Sequence, residues 1–189
     1  HNGATKAKFA KGWYLVCWSK DLEPGGVMPL RYFGKDYVLF RGESGEATLL
    51  SAHCPHLGAH LGYGGHVEGN DIVCPFHAWR FASNGRCTEV PYAKRIPPRA
   101  AVDAFRVQEH SGMILAYFGP EGSEPEYEVP EIEELNDPAW TAMQHAQIEI
   151  ATQAREVIEN IADYAHFLPV HNTLIDDFKV IIDGPRATQ

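Results

Sequence analysis

Cys54-Pro55-His56-Leu57-Gly58 and, after a Gly-rich interval, Cys74-Pro75-Phe76-His77-Ala78-Trp79 decide how this chain is read. Each segment carries one thiolate and one imidazole, spaced C-x-H in the first and C-x-x-H in the second. Two thiolates and two imidazoles match a [2Fe–2S] centre in which one iron takes both Cys sulfurs and the other both His nitrogens. Each pair then has to reach both irons, and two facing loops of mixed composition can do this. The competing reading is a tetrahedral Cys2His2 zinc site. Zinc-finger order usually puts the two Cys in one pair and the two His in the other, whereas both pairs here are mixed, so the cluster is favoured over zinc.

Around these loops the first 118 residues read as short β-rich runs separated by Gly-containing turns. Tyr37-Val38-Leu39-Phe40, a turn through Gly42 and Gly45, and Thr48-Leu49-Leu50 predict a hairpin. Ile72-Val73 leads into the second ligand loop, Asn84-Gly85 signals a turn, and Met113 to Phe118 predicts a buried strand. The fold class is therefore mainly β: an antiparallel cluster domain over residues 9–118, with its ligand loops at one tip, after a flexible tail over residues 1–8. An acidic connector over residues 119–138 follows, punctuated by Pro120, Pro125, Pro130 and Pro138. Beyond it, Ala154, Val157, Ile158, Ile161, Ala162 and Ala165 recur at helical spacing. They predict one amphipathic helix ending near Pro169, its apolar stripe packed into a core.

The chain has 189 residues and a formal charge of −9, unevenly spread. Residues 1–106 hold 13 Lys/Arg against 9 Asp/Glu, residues 107–189 only 3 against 16, and no Lys or Arg lies between Arg106 and Arg155. Such asymmetry predicts two structural units with different surfaces. The small basic excess of the first half lacks interleaved stacking residues and argues against nucleic-acid binding. No apolar run approaches the ~20 residues of a membrane span, and no signal peptide is visible. With two Cys assigned to the cluster, Cys17 and Cys87 read as buried free thiols, which suits a cytoplasmic protein.

A second constellation lies at the predicted helix end. Asp163 and His166 are three residues apart and share a helix face. His171 is five residues beyond His166, about 140° around an unbroken helix. Pro169 disfavours helical geometry at Leu168, so a break between the two His would let both imidazoles reach one metal. Two His with one carboxylate form the facial set of a non-haem Fe(II) site that keeps positions open for O2.

The two ligand segments, with Leu57-Gly58 and Ala78-Trp79 flanking them, resemble the loops of Rieske ring-hydroxylating oxygenases, and with the second constellation the resemblance to Rieske non-haem iron oxygenases spans nearly the whole chain from Phe9. The resemblance implies that Cys54, His56, Cys74 and His77 hold the [2Fe–2S] cluster and that His166 and His171 hold a mononuclear Fe(II). Asp163 matches the family's bridging Asp, which links an iron His to a cluster His of the neighbouring subunit in a head-to-tail homotrimer. Asn160 is placed near the iron. The third iron ligand is missing from this chain, since Asp176, Asp177 and Asp183 follow His171 too soon. Residues 139–189 are then the beginning of an α+β, helix-grip-like catalytic domain. Ala59 and Phe76 stand where respiratory Rieske proteins carry a disulfide, and Trp79 where they carry a Ser hydrogen-bonding cluster sulfur. Fewer such hydrogen bonds place the potential toward the low end of the roughly −150 to +300 mV Rieske range.

Phe9-Ala10-Lys11-Gly12-Trp13-Tyr14, Pro91-Tyr92-Ala93-Lys94-Arg95-Ile96-Pro97-Pro98 and the stretch from Asn160 to His171 further resemble bacterial ketosteroid hydroxylase oxygenases and sterol desaturases. The implied function is the terminal oxygenase component of a monooxygenase or dioxygenase. It takes electrons from a ferredoxin or flavin reductase and uses O2 against a small but bulky apolar substrate, steroid-like or aromatic, with this fragment alone inactive. Arg80, Arg86, Lys94, Arg95 and Arg99 follow the second loop closely and would line a basic dock for the donor. Two other readings compete. A Rieske ferredoxin that only carries electrons needs about 110 residues and leaves Asp163, His166 and His171 unexplained; a zinc-stabilised interaction domain would be colourless.

Overall fold

The computed structural model describes residues 9–120, 123–141, 143–184 and 186–188 and divides into two compact units, His1–Asp137 and Pro138–Gln189. The tail expected over residues 1–8 lies outside the described residues.

Every strand pairing of the first unit is antiparallel. Its strands are β1 (Gly12–Trp18), β2 (Val27–Tyr32), β3 (Lys35–Arg41), β4 (Ala47–Ser51), β5 (His66–Glu68), β6 (Asp71–Val73), β7 (Arg80–Phe81), β8 (Cys87–Glu89), β9 (Ala104–Phe105), β10 (Val107–His110) and β11 (Met113–Phe118). They form three sheets, ordered β1-β11-β10, β2-β3-β4-β9 and β5-β6-β7-β8. Two hairpins turn on pairs of positive-φ residues, Phe33-Gly34 between β2 and β3 and Ser111-Gly112 between β10 and β11. A two-residue turn of that kind matches the strand twist, at the cost of a left-handed backbone at Phe33 and Ser111.

Strand β3 explains why its apolar run is continuous rather than alternating. Val38 and Phe40 enter one core with Leu50, Ile72, Trp79 and Phe81, while Tyr37 and Leu39 enter a second with Leu49, Val16, Ile114 and Phe118. The middle sheet is thus covered on both faces, and a strand buried on both faces loses its polar alternation. The first of these cores also contains Cys54, Cys74 and Cys87, so the ligand loops are rooted in packed apolar side chains.

Arg41 fastens the middle sheet to β10. Its side chain is 9% exposed and forks onto both oxygens of Glu109, at 2.8 and 2.7 Å, while also donating to the carbonyls of Leu22 and Gly45. This guanidinium holds the Glu109 carboxyl below its ordinary pKa of 4.5. Because the folded pKa is the lower one, the pair's stabilisation is complete above the ordinary value and is lost as pH falls through the folded pKa. Glu109→Gln is expected to cost about 2 kcal/mol at pH 7, since it strands a mostly buried cation. In urea titrations from pH 7 to 3, the gap between wild type and variant should narrow progressively once the pH falls below the ordinary carboxyl value of 4.5.

The acidic connector is pinned to the first unit. Lys11 pairs with Glu126 and Arg106 with Glu124, the Trp13 indole donates to the Tyr127 carbonyl at 2.8 Å, and Gln108 both donates to and accepts from the backbone of Val129. Its carboxylates therefore answer some of the cations of the first half.

The second unit contains α1 (Ala154–Ile161), α2 (Phe167–His171) and a hairpin of β12 (Ile181–Asp183) with β13 (Arg186–Thr188). The single helix expected to end near Pro169 is instead two, and the break falls earlier. Ala162 caps α1, and the Asp163 Oδ1 accepts from the Ala165 N–H at 3.0 Å, a local turn that competes with helical hydrogen bonding. Pro169 sits inside α2 in its first turn, where its missing N–H costs nothing. Asn172, at φ 51°, ends α2 by a left-handed cap. The expected core packing of the helical stripe is also corrected: Val157, Ile158 and Ile161 are 46, 65 and 48% exposed. A unit of this size buries too little surface to cover such a face. Among the described residues no helix is long and apolar enough to cross a membrane.

Candidate functional site

The two ligand segments adopt the same turn. In the first, the Cys54 N–H donates to the Ala59 carbonyl and the Gly58 N–H to the Cys54 carbonyl, both at 2.9 Å. In the second, the Cys74 N–H donates to the Trp79 carbonyl at 2.8 Å and the Ala78 N–H to the Cys74 carbonyl at 3.1 Å. The fifth residue of each turn is left-handed, Gly58 at φ 77° and Ala78 at φ 56°. A Cβ there costs roughly 1 kcal/mol, which Ala78 accepts to keep the turn. Strands β6 and β7 hold the second loop, and the antiparallel bridge between His53 and His60 closes the first.

These turns bring the four residues together. Cys54 and Cys74 are 2 and 3% exposed and close enough to hydrogen-bond one another, while the His56 and His77 rings stand at the half-exposed rim with centroids 4.6 Å apart. All four cysteines of the chain are free thiols. Burial, with the neighbouring Cys74, pushes the Cys54 thiol up to about 11. Such a thiol gives up its proton to a metal rather than to water. The His56 Nδ1 is buried and has no hydrogen-bond partner among the described residues, the condition of a ring nitrogen kept for a metal. Paired buried thiols, paired imidazoles and an orphaned buried nitrogen fit a binuclear iron–sulfur cluster.

The loop after β8 adds Tyr92, whose pairing with Trp79 of the second ligand loop the sequence did not disclose. The Trp79 indole lies parallel to the His56 ring, 8° from coplanar at 4.8 Å, and its Nε1 donates to the Tyr92 hydroxyl at 2.7 Å. Tyr92, whose ring is 62% exposed, lies 6.4 and 6.3 Å from the His56 and His77 rings. Trp79 thus walls one face of the His56 imidazole. Nothing in the spacing of positions 79 and 92 signals their pairing. Of the five cations expected to form a dock, Arg80 is committed elsewhere, bound to Glu68 at 2.9 Å and Glu89 at 3.0 Å.

In the second unit the His166 and His171 rings approach to 5.3 Å between centroids. His166 is the N-cap residue of α2 and His171 is its last residue. The Asp163 Oδ2 lies 3.5 Å from the His166 Nδ1, a charge contact too long to be a hydrogen bond, and that buried nitrogen has no other partner among the described residues. Asn160 is on the last turn of α1, its carbonyl accepting from Asp163. Among the described residues no three His, Cys, Asp or Glu side chains are grouped so as to hold one metal ion, so neither Asp163 nor Asp176, Asp177 and Asp183 completes a set with the two imidazoles.

Comparison with known proteins places both halves. Residues 12–106 match the Rieske [2Fe–2S] domain, and residues 116–189 match the 3-ketosteroid 9alpha-hydroxylase C-terminal domain. A 3-ketosteroid-9-alpha-monooxygenase oxygenase component of Rhodococcus rhodochrous is 36% identical over 99% of this chain and 50% of its own length. A cholesterol 7-desaturase of Ciona intestinalis is 36% identical over 86% of this chain and 35% of its own. Among solved structures, NdmA of Pseudomonas putida CBB5 with caffeine superposes with a TM-score of 0.74 at 28% identity, over 87% of this chain and 49% of that one. The chain thus spans about half the length of the ketosteroid monooxygenase relatives it matches. With its two ligand turns inside the first match and its histidine pair inside the second, the chain belongs to the Rieske [2Fe–2S] family, in the branch of the oxygenase components.

Proposed function

We propose that the chain is the cluster-bearing half of a terminal oxygenase. In it Cys54 and Cys74 bind one iron of a [2Fe–2S] cluster, His56 and His77 bind the other, and His166 and His171 give two ligands to a mononuclear iron. The observation that carries this reading is the pair of equivalent turns that brings two buried thiols and two imidazoles together at one tip. When bound, the cluster supplies single electrons, and the mononuclear iron supplies open positions for O2.

The protein's own groups hold and orient. Trp79 fixes the plane of His56, and the buried Nδ1 of His56 faces no competing donor. Asp163 stands beside the ring of His166 to set its tautomer, with a side chain 54% exposed and free to meet a second imidazole. In a head-to-tail homotrimer that second imidazole is His56 or His77 of the next subunit, and Asn160 lies one turn away. The third ligand of the mononuclear iron comes from the remainder of the longer protein, and without it this fragment is inactive. Residues 9–118 form the cluster domain, 119–138 the connector and 139–189 the start of the catalytic domain.

The substrate is a bulky apolar molecule of sterol or aromatic type, hydroxylated with O2 by electrons from a ferredoxin or flavin reductase. The ketosteroid and cholesterol enzymes among its relatives support this. Buried free thiols at Cys17 and Cys87, outside the cluster, suit a cytoplasmic setting. A carrier-only ferredoxin would leave the second family match and the His166/His171 pair without a role. Iron and acid-labile sulfide analysis of the full-length protein separates the two: three irons and two sulfides per chain are expected, whereas two irons and two sulfides would indicate a carrier.

A further inference from the structure

The segment that joins the buried anchors Val90 and Ala100 is exposed at every residue, from Pro91 to Arg99. Turns fix its two ends, with the Ala93 N–H donating to the Val90 carbonyl at 3.0 Å and the Ala100 N–H to the Pro97 carbonyl at 2.9 Å. It carries Lys94, Arg95 and Arg99 and no acidic residue. The bridge between Arg86 and Ala101 sets a fourth exposed cation beside its end. Arg80, Arg106, Lys11 and Arg41 are all occupied by carboxylates, but Arg86, Lys94, Arg95 and Arg99 have no ion-pair partner among the described residues. The same segment presents Tyr92 and Ile96 at 62 and 40% exposure. From Tyr92 a hydrogen bond of 2.7 Å leads to Trp79, which stacks on His56.

We propose that this basic strap is the docking surface for an acidic electron-donor protein carrying a reduced [2Fe–2S] or flavin group, with Tyr92 at the centre of contact. This rests on the reading of Cys54, His56, Cys74 and His77 as cluster ligands. One electron leaves the donor, which is oxidised by one equivalent, and the cluster is reduced by one. The unpaired cations steer an acidic partner and orient it. Tyr92 and Trp79 bring its edge within two noncovalent steps of a cluster imidazole.

The test uses the full-length protein, wild type and Lys94→Glu/Arg95→Glu/Arg99→Glu, with a reduced acidic plant-type ferredoxin as the protein donor and reduced methyl viologen as a small one. Two quantities are read: the affinity for the oxidised ferredoxin, and the second-order rate at which the cluster absorbance bleaches. The variant is expected to bind the ferredoxin at least tenfold more weakly and to be reduced by it about tenfold to a hundredfold more slowly at low salt. The two proteins should converge as salt rises and the Debye length shrinks below ~8 Å. Methyl viologen should reduce both at the same rate. Equal ferredoxin affinity and rate in the two proteins would overturn the dock, and so would a loss of rate shared by methyl viologen, which would place the effect on the cluster. A wild-type protein that shows no bleachable chromophore with either reductant would overturn the cluster reading itself, and the dock with it.

Discussion

His77→Ala and Cys54→Ser are each expected to abolish the visible absorbance of the purified protein and to cut its iron and sulfide content at the cluster to near zero. On the proposed assignment, each change removes a ligand that no neighbour can replace. The nearest other imidazoles, His53 and His60, pair with each other through the bridge that closes the first loop, with rings 5.2 Å apart. The nearest other thiol, Cys87, is buried in the same core and donates to the Glu89 carbonyl at 3.3 Å. The apoprotein is also expected to be less stable, because two buried thiols and an orphaned imidazole nitrogen are left at its tip, and binding free energy at such a site is folding free energy. Ultraviolet–visible spectra with iron and sulfide assays check the claim. A normal visible spectrum in His77→Ala would remove that residue from the ligand set.

Asp163→Ala, in the full-length protein, should leave both metal contents close to wild type and cut turnover by about a hundredfold. The carboxylate lies 3.5 Å from the His166 Nδ1 and does not join a three-ligand group, so its loss does not remove a metal ligand. What it removes is the group that holds the His166 ring, and partners of this kind are worth tenfold to a hundredfold in activity or affinity. An ordinary surface Asp at the same place would change stability by less than ~0.5 kcal/mol and leave the rate unchanged. Asp163→Asn is the finer probe, since it keeps the size and an acceptor oxygen but loses the charge that favours an imidazole N–H donor. Single-turnover oxidation of the pre-reduced cluster by O2, with substrate bound, reads the effect. Wild-type rates in both variants would show that Asp163 does not join the two metal centres.

The gathering of Cys54, His56, Cys74 and His77 at one tip was legible because ligand chemistry is local. A thiolate and an imidazole on each of two short loops specify a binuclear site wherever the strands around them run, and the hairpin through Phe40 and Leu49, the turn at Gly85 and the strand ending at Phe118 followed from residue pattern alone. The failures came from competition that pattern does not weigh. The apolar spacing from Ala154 to Ala165 promised one helix, but the Asp163 carboxylate offered the backbone a local turn and α1 stopped at Ile161. Pro169, read as the breaker, fitted the first turn of α2 instead. Arg80, counted among free cations, lies between Glu68 and Glu89, a triad assembled by strand pairing rather than by spacing. The Trp79–Tyr92 pair was invisible for the same reason: thirteen residues apart in sequence, they meet only after the β5-β6-β7-β8 sheet has folded.

On the proposed reading, two thiolates and two imidazoles from equivalent turns hold one binuclear cluster. Pulsed electron paramagnetic resonance of the reduced protein, prepared with 15N-labelled histidine, reads those ligands at the cluster itself. Two inequivalent histidine nitrogens coupled to a single reduced [2Fe–2S] spin are predicted, with both couplings lost together with the signal in His56→Ala. A colourless protein with one zinc per chain, or a reduced cluster showing no strongly coupled histidine nitrogen, would rule this ligand set out.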